Sequence, residues 1–138
     1  MEFATLETTM TLAEVRKAFG GRLIGSPLMK EVVCEAVLHL PSKFRKQITS
    51  KVWIISSPDD AWALTFRGEE LRDRHLIFLS DELLRESREQ IRFTVLHEIG
   101  HVVLYHRNSI GFEQTESEIA RQEQEADAFA KQYLLTKL

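Results

Sequence analysis

The stretch FTVLHEIGHVVLYH runs from Phe93 to His106 and is almost wholly apolar, as a buried helix would be. His97, Glu98 and His101 stand in the middle of it and are the only ionisable side chains between Phe93 and Tyr105. Burying an unpaired charge is expensive, so these three require partners that compensate them. On an α-helix each residue advances by about 100°, which puts His97 and His101 only about 40° apart and one turn along the same face. Two imidazoles so placed reach a single metal ion. Glu98, about 60° from His101, lies close enough to touch a water beside that ion. This is the H-E-x-x-H arrangement, in which two histidines bind zinc and the glutamate is the general base. The expected assignment is His97 and His101 as metal ligands and Glu98 as the catalytic group.

A catalytic zinc site needs a third protein ligand and one open position. His106 fails on the helical wheel: on a continued helix it lies about 180° round from His97 and points away. The reading for it is an exposed imidazole near the helix C-terminus, where a cation is favoured. A longer H-E-x-x-H-x-x-G-x-x-H pattern would need Gly at 104 and His at 107, where Leu104 and Arg107 stand. The other source of acids is EIARQEQEADAFAKQYLL, Glu118 to Leu135. Its apolar stripe is Ile119, Ala126, Phe129, Ala130, Tyr133 and Leu134 at helical spacing. Taking Ala126 as the centre, Glu123 falls about 60° to one side and Glu125 about 100° to the other. Glu123 is therefore the expected third ligand, with Glu125 as the alternative. Asp127 shares Glu123's side of the helix and is placed to accept a hydrogen bond from a ligand histidine. Glu116 and Glu118 read as solvated helix acids.

The rest of the chain predicts an α+β fold. A small antiparallel or mixed sheet of about three strands packs on the buried H-E-x-x-H helix and a C-terminal helix. TLAEVRKAF reads as a helix with Thr11 and Glu14 at capping-box spacing and Gly20 as its stop. SPLMKEVVCEAVLHL reads as a second helix with Ser26 as N-cap and Pro27 at the first helical position. SKFRKQITSK, with Lys43, Arg45, Lys46 and Lys51 and no acid, reads as a solvated basic helix face. KVWIIS and AWALTF flank SPDD and read as a hairpin; HLIFLS, His75 to Ser80, reads as a third strand. SDELLRES reads as the opening of a helix capped by Ser80 or Asp81. A long helix from Ser87 to His106, a polar loop containing Gly111 and a helix from Glu116 to Leu135 complete the reading.

With 138 residues, 43% of them hydrophobic and 28% charged, the chain is expected to form a single domain. Residues 1–50 read as a helical N-terminal part and 51–138 as the metal-binding core. The net charge of −3 gives no reason to expect nucleic acid or a bilayer as main partner. No apolar run approaches the roughly 20 residues of a membrane span. The single cysteine, Cys34, excludes an internal disulfide and suits a reducing cytosol. No signal peptide is read at the N-terminus.

FTVLHEIGHVVLYH followed by EQEADAFAKQYLL resembles the ImmA/IrrE-type metallopeptidases, whose pattern is H-E-[LI]-G-H and then E-x-E-A-N-x-F-A-x-x-L-L. The resemblance runs from about His75 to Leu135, with Asp127 where the family usually has Asn. It implies a gluzincin-like, zincin-fold site holding zinc. It also implies a cytoplasmic bacterial or phage-related protein that cuts a protein partner, commonly a DNA-binding transcriptional repressor. The E-x-x-x-D spacing of Glu123 and Asp127 is similar to that of thermolysin-like gluzincins, where the glutamate binds metal and the aspartate holds a histidine. The rival reading is a non-catalytic zinc module, a toxin or anti-repressor acting by contact; Glu98 speaks against it, because a purely structural site needs no general base.

Overall fold

A computed structural model of the chain describes residues 10–57, 63–66, 75–106 and 114–134. In chain order the helices are α1 (Leu12–Phe19), α2 (Pro27–Leu38), α3 (Ser42–Lys51), α4 (Arg88–Val103) and α5 (Glu116–Leu134). The strands are β1 (Leu23–Ile24), β2 (Val52–Ser57), β3 (Ala63–Phe66) and β4 (His75–Ser80). The class is α+β. The turn expected at Pro58 to Asp60, the loop around Gly111 and the helix end at Leu135 lie outside the described residues.

The helix starts are built from the caps that the sequence carries. Thr11 Oγ1 accepts the Glu14 N–H at 3.1 Å while Glu14 Oε1 accepts the Thr11 N–H at 3.0 Å, a reciprocal capping box. Ser26 Oγ accepts from Met29 N at 3.1 Å and Ser87 Oγ from Gln90 N at 3.1 Å. A further capping box starts α5: Thr115 Oγ1 accepts the Glu118 N–H at 3.1 Å, and Glu118 Oε1 accepts the Thr115 N–H at 3.2 Å. Glu118 is thus the cap partner that starts α5 and not a free surface acid.

The four strands form one mixed sheet in the order β1-β2-β4-β3. β1 and β4 run parallel to β2, and β3 runs antiparallel to β4. The expected β2–β3 hairpin is therefore incorrect, because β4 inserts between the two strands. A parallel β2–β4 pair aligns Val52, Ile54 and Ser56 with His75, Ile77 and Leu79. That register puts the buried positions of both strands on one face, which the hairpin did not require. The two-residue β1 was not read either, being too short to show alternation.

Two other expectations are corrected. SDELLRES gives only a 3-10 turn, Leu83–Arg85, because Glu86 is extended (φ −79°, ψ 175°) and Ser87 caps a new helix. Ser80 does accept the Leu83 N–H, at 3.3 Å. Arg45 is not on a solvated face: it is buried and donates to the Leu40 carbonyl at 2.7 Å, while Lys43, Lys46 and Lys51 are exposed.

One hydrophobic cluster runs from Val15 in α1 to Ala130 in α5 and takes in Ile54, Ile77 and Leu79 from the sheet. α4 lies in its middle and buries Ile91, Val95, Leu96, Ile99, Val102 and Val103. Among the described residues no helix is long and apolar enough to cross a membrane.

Gly100 sets how closely α5 approaches α4. A Cβ there would lie 3.1 Å from Phe129 Cδ1 and 3.2 Å from Phe129 Cβ, tighter than ordinary contact. Phe129 Cβ is fixed to the α5 backbone, and its ring packs on Phe44 and Tyr133 at centroid distances of 5.8 and 4.8 Å, so the two helices must part to admit a methyl group. Gly100→Ala gains about 1 kcal/mol of helix propensity and loses about 1–3 kcal/mol to overpacking. The expected outcome in urea unfolding is a net loss of about 1 kcal/mol; a stabilised variant would show that α5 retreats without cost.

Candidate metal centre

His97, Glu98 and His101 present one ligand atom each within 4.8 Å of one another, a group that could hold a metal ion. His97 Nε2 and His101 Nε2 are 3.2 Å apart. α5 brings Glu123 to the same point: its Oε2 is 2.8 Å from His101 Nε2 and its Oε1 is 3.5 Å from His97 Nε2. Glu98 Oε2 lies 4.0 Å from His97 Nε2, and Glu98 is buried. The two histidines are largely enclosed, whereas the Glu123 and Asp127 side chains are about half exposed.

The outer nitrogens of the two imidazoles are engaged by different groups. Asp127 Oδ1 lies 2.7 Å from His97 Nδ1. A carboxylate only accepts, so His97 carries a hydrogen on Nδ1 and turns Nε2 towards His101. His101 Nδ1 faces His106 Nδ1 at 2.8 Å, and His106 Nε2 faces Glu125 Oε1 at 2.7 Å. Arg121 Nη1 lies 3.3 Å from Glu125 Oε2.

This overturns the expectation for His106. It is buried, not exposed, and lies behind His101. The wheel misplaced it because α4 ends at Val103 and Tyr105 turns left-handed, φ 58°. The structure also separates the two rival acids. Glu123 meets the Nε2 atoms and Glu125 meets His106, on the two sides of α5 that the helical wheel assigned them. The signal that could have found His106 was the end of the apolar periodicity at Leu104, which makes any wheel angle beyond it unreliable.

His75, Tyr105 and Tyr133 are the side chains the sequence offers for stabilising an oxyanion, with packing the favoured reading for each. Tyr133 is a packing residue, its ring 4.8 Å from Phe129 and 6.2 Å from Phe44. His75 is buried at the start of β4, and Tyr105 is exposed just beyond α4.

Residues 88–138, the segment that carries α4 and α5, match the family model described as Peptidase U49. The match supports a peptidase and is not specific to the ImmA/IrrE type. No curated protein and no solved structure matches the chain.

Burial, then the neighbouring His97 and His106, push the His101 imidazole down from 6.5 to about 4, against an opposing pull from Asp127. His101 is therefore neutral at pH 7, with its lone pair available. The hydrogen bond from His106, aided by Arg121, holds the Glu125 carboxyl below its ordinary range. In both cases the folded state binds its proton less readily than the unfolded chain, so stability falls as pH falls. For His101 the contribution is complete above pH 6.5 and lost by about pH 4. Chelator-treated protein should hold its melting temperature above pH 6.5 and lose on the order of 5 °C below it. His101→Gln should flatten that slope; an unchanged slope would assign the acid sensitivity elsewhere.

Proposed function

We propose that the chain is a zinc-dependent endopeptidase with His97, His101 and Glu123 as metal ligands and Glu98 as general base. The observation that carries this reading is the 3.2 Å separation of the two Nε2 atoms, with Glu123 oxygens 2.8 and 3.5 Å away. Ligands about 2.0–2.1 Å from a tetrahedral zinc stand about 3.3 Å from one another. Lone pairs converging at that spacing, beside a carboxylate, repel unless a cation lies among them. Two imidazoles and one carboxylate form the donor set of catalytic zinc sites that keep a fourth position open. When bound, the metal makes a water acidic enough to lose its proton near neutral pH.

The chain's own residues account for the remaining steps. On this reading Glu98 takes the proton of the attacking water and delivers it to the departing amine nitrogen. Asp127 fixes the His97 ring through its Nδ1 hydrogen. β3 is the edge strand beside β4 and packs against α4, so an extended peptide adds there by backbone pairing. β4, the other strand upstream of α4, is paired on both sides and cannot serve. The substrate on this reading is a protein partner, and a DNA-binding repressor, as the ImmA/IrrE resemblance implies, is the first to test. No direct contact with nucleic acid or a membrane is part of it.

Elemental analysis should find about one zinc per chain, and His97→Ala should lose it. Glu98→Gln should keep fold and zinc yet cut the cognate partner several orders of magnitude more slowly. Near wild-type cleavage by that variant would remove Glu98 from the mechanism, and retained partner binding with no cleavage by either form would favour the non-catalytic module. Glu123→Ala should weaken zinc binding by orders of magnitude, far more than Glu125→Ala; the reverse ranking would exchange their roles.

A further inference from the structure

We propose that His106 and Glu125 are positioning residues that hold His101 in the ring orientation and tautomer a metal ligand requires. This rests on the reading of the site as a metal centre.

With a cation among His97 Nε2, His101 Nε2 and Glu123, the hydrogen bonds allow one consistent direction for neutral rings. A carboxylate oxygen accepts, so the His106 Nε2 that faces Glu125 at 2.7 Å donates. A neutral His106 then has a lone pair at Nδ1, and His101 Nδ1, 2.8 Å away, donates to it. His101 is left with its lone pair at Nε2, the atom that faces His97 and Glu123. The proton order along Glu125, His106 and His101 thus ends in a ligand atom pointing at the metal position. His97 reaches the same state in one step through Asp127.

The backbone independently fixes His106 in this place. The His106 N–H donates to the carbonyl of His101 at 2.9 Å and the Tyr105 N–H to that of Val102 at 3.1 Å. These are the two bonds of a Schellman motif, with Tyr105 in the left-handed position that glycine usually fills. A non-glycine residue there costs about 1–2 kcal/mol. The strained turn joins His106 to His101 through main chain as well as ring, and such strain persists where the surroundings require it.

The test is zinc affinity by chelator competition, with imidazole ¹⁵N spectra of the zinc-loaded wild type. His106→Leu should bind zinc about 10–100-fold more weakly. His106→Gln, whose amide oxygen can accept from His101 Nδ1, should recover much of that loss. Glu125→Ala, at an exposed site that tolerates truncation, should lose about tenfold. The spectra should show His106 neutral with its proton on Nε2. Unchanged affinity in both His106→Leu and Glu125→Ala, or a His106 protonated on Nδ1, overturns the relay while leaving the metal centre standing. A wild type that binds no zinc overturns the metal reading and the relay with it.

Discussion

Two imidazoles on one turn of α4, His101 buried and His97 partly so, each carry an Nδ1 hydrogen that must be accepted, and that requirement governs where α5 lies. Asp127 accepts from His97, and Glu125 serves His101 through His106. Both acids stand on α5, so the helix must sit in register with the H-E-x-x-H turn and close against it. The bare Gly100 backbone permits that approach, with Phe129 filling the space a side chain would take. A misplaced α5 would strand polar atoms in the core, where an unmet hydrogen bond costs about 1–3 kcal/mol. Apolar packing supplies the adhesion between α4 and α5, and the polar pairs select a single register for it.

The sheet supports this pair from the other side. Ile77 and Leu79 of β4 belong to the same buried cluster as Leu96 and Ile99 of α4. β4 is paired with β2 on one side and β3 on the other, so it forms a firm floor under the helix. That leaves β3 as the edge next to α4. Among the described residues such an edge has no strand on its outer side, a hazard in a free sheet and an asset for pairing with an extended peptide.

The parts of this arrangement that were legible in the sequence are those set by local geometry. His97, Glu98 and His101 follow from helical spacing, as do the opposite sides given to Glu123 and Glu125. The caps at Thr11 and Ser26 follow from side-chain chemistry within one turn. What was not legible depends on contacts distant in sequence or on where a helix stops. β4 entering between β2 and β3 is a choice among pairings that all satisfy the same alternation. His106 was lost because a wheel extrapolates a helix that ends at Val103. Arg45 reads as solvated because it stands among Lys43, Lys46 and Lys51, and a basic run gives no sign of the Leu40 carbonyl that accepts from one of its members.

The two histidines differ in depth, and their supports differ accordingly. His97 lies nearer the surface, and a half-exposed Asp127 reaches it directly. His101 is deeper, and a carboxylate at the same distance would have to be buried with it. Removing a carboxylate from water costs several kcal/mol even after the protein relaxes. A neutral imidazole can be buried at far lower cost, since each of its two nitrogens makes one hydrogen bond and neither carries net charge. Placing His106 between His101 and Glu125 lets the charge remain at the half-exposed Glu125, beside Arg121, while its hydrogen-bond demand is passed inward. Depth of the histidine therefore dictates the length of its support: one acceptor for His97, and an imidazole followed by an acceptor for His101.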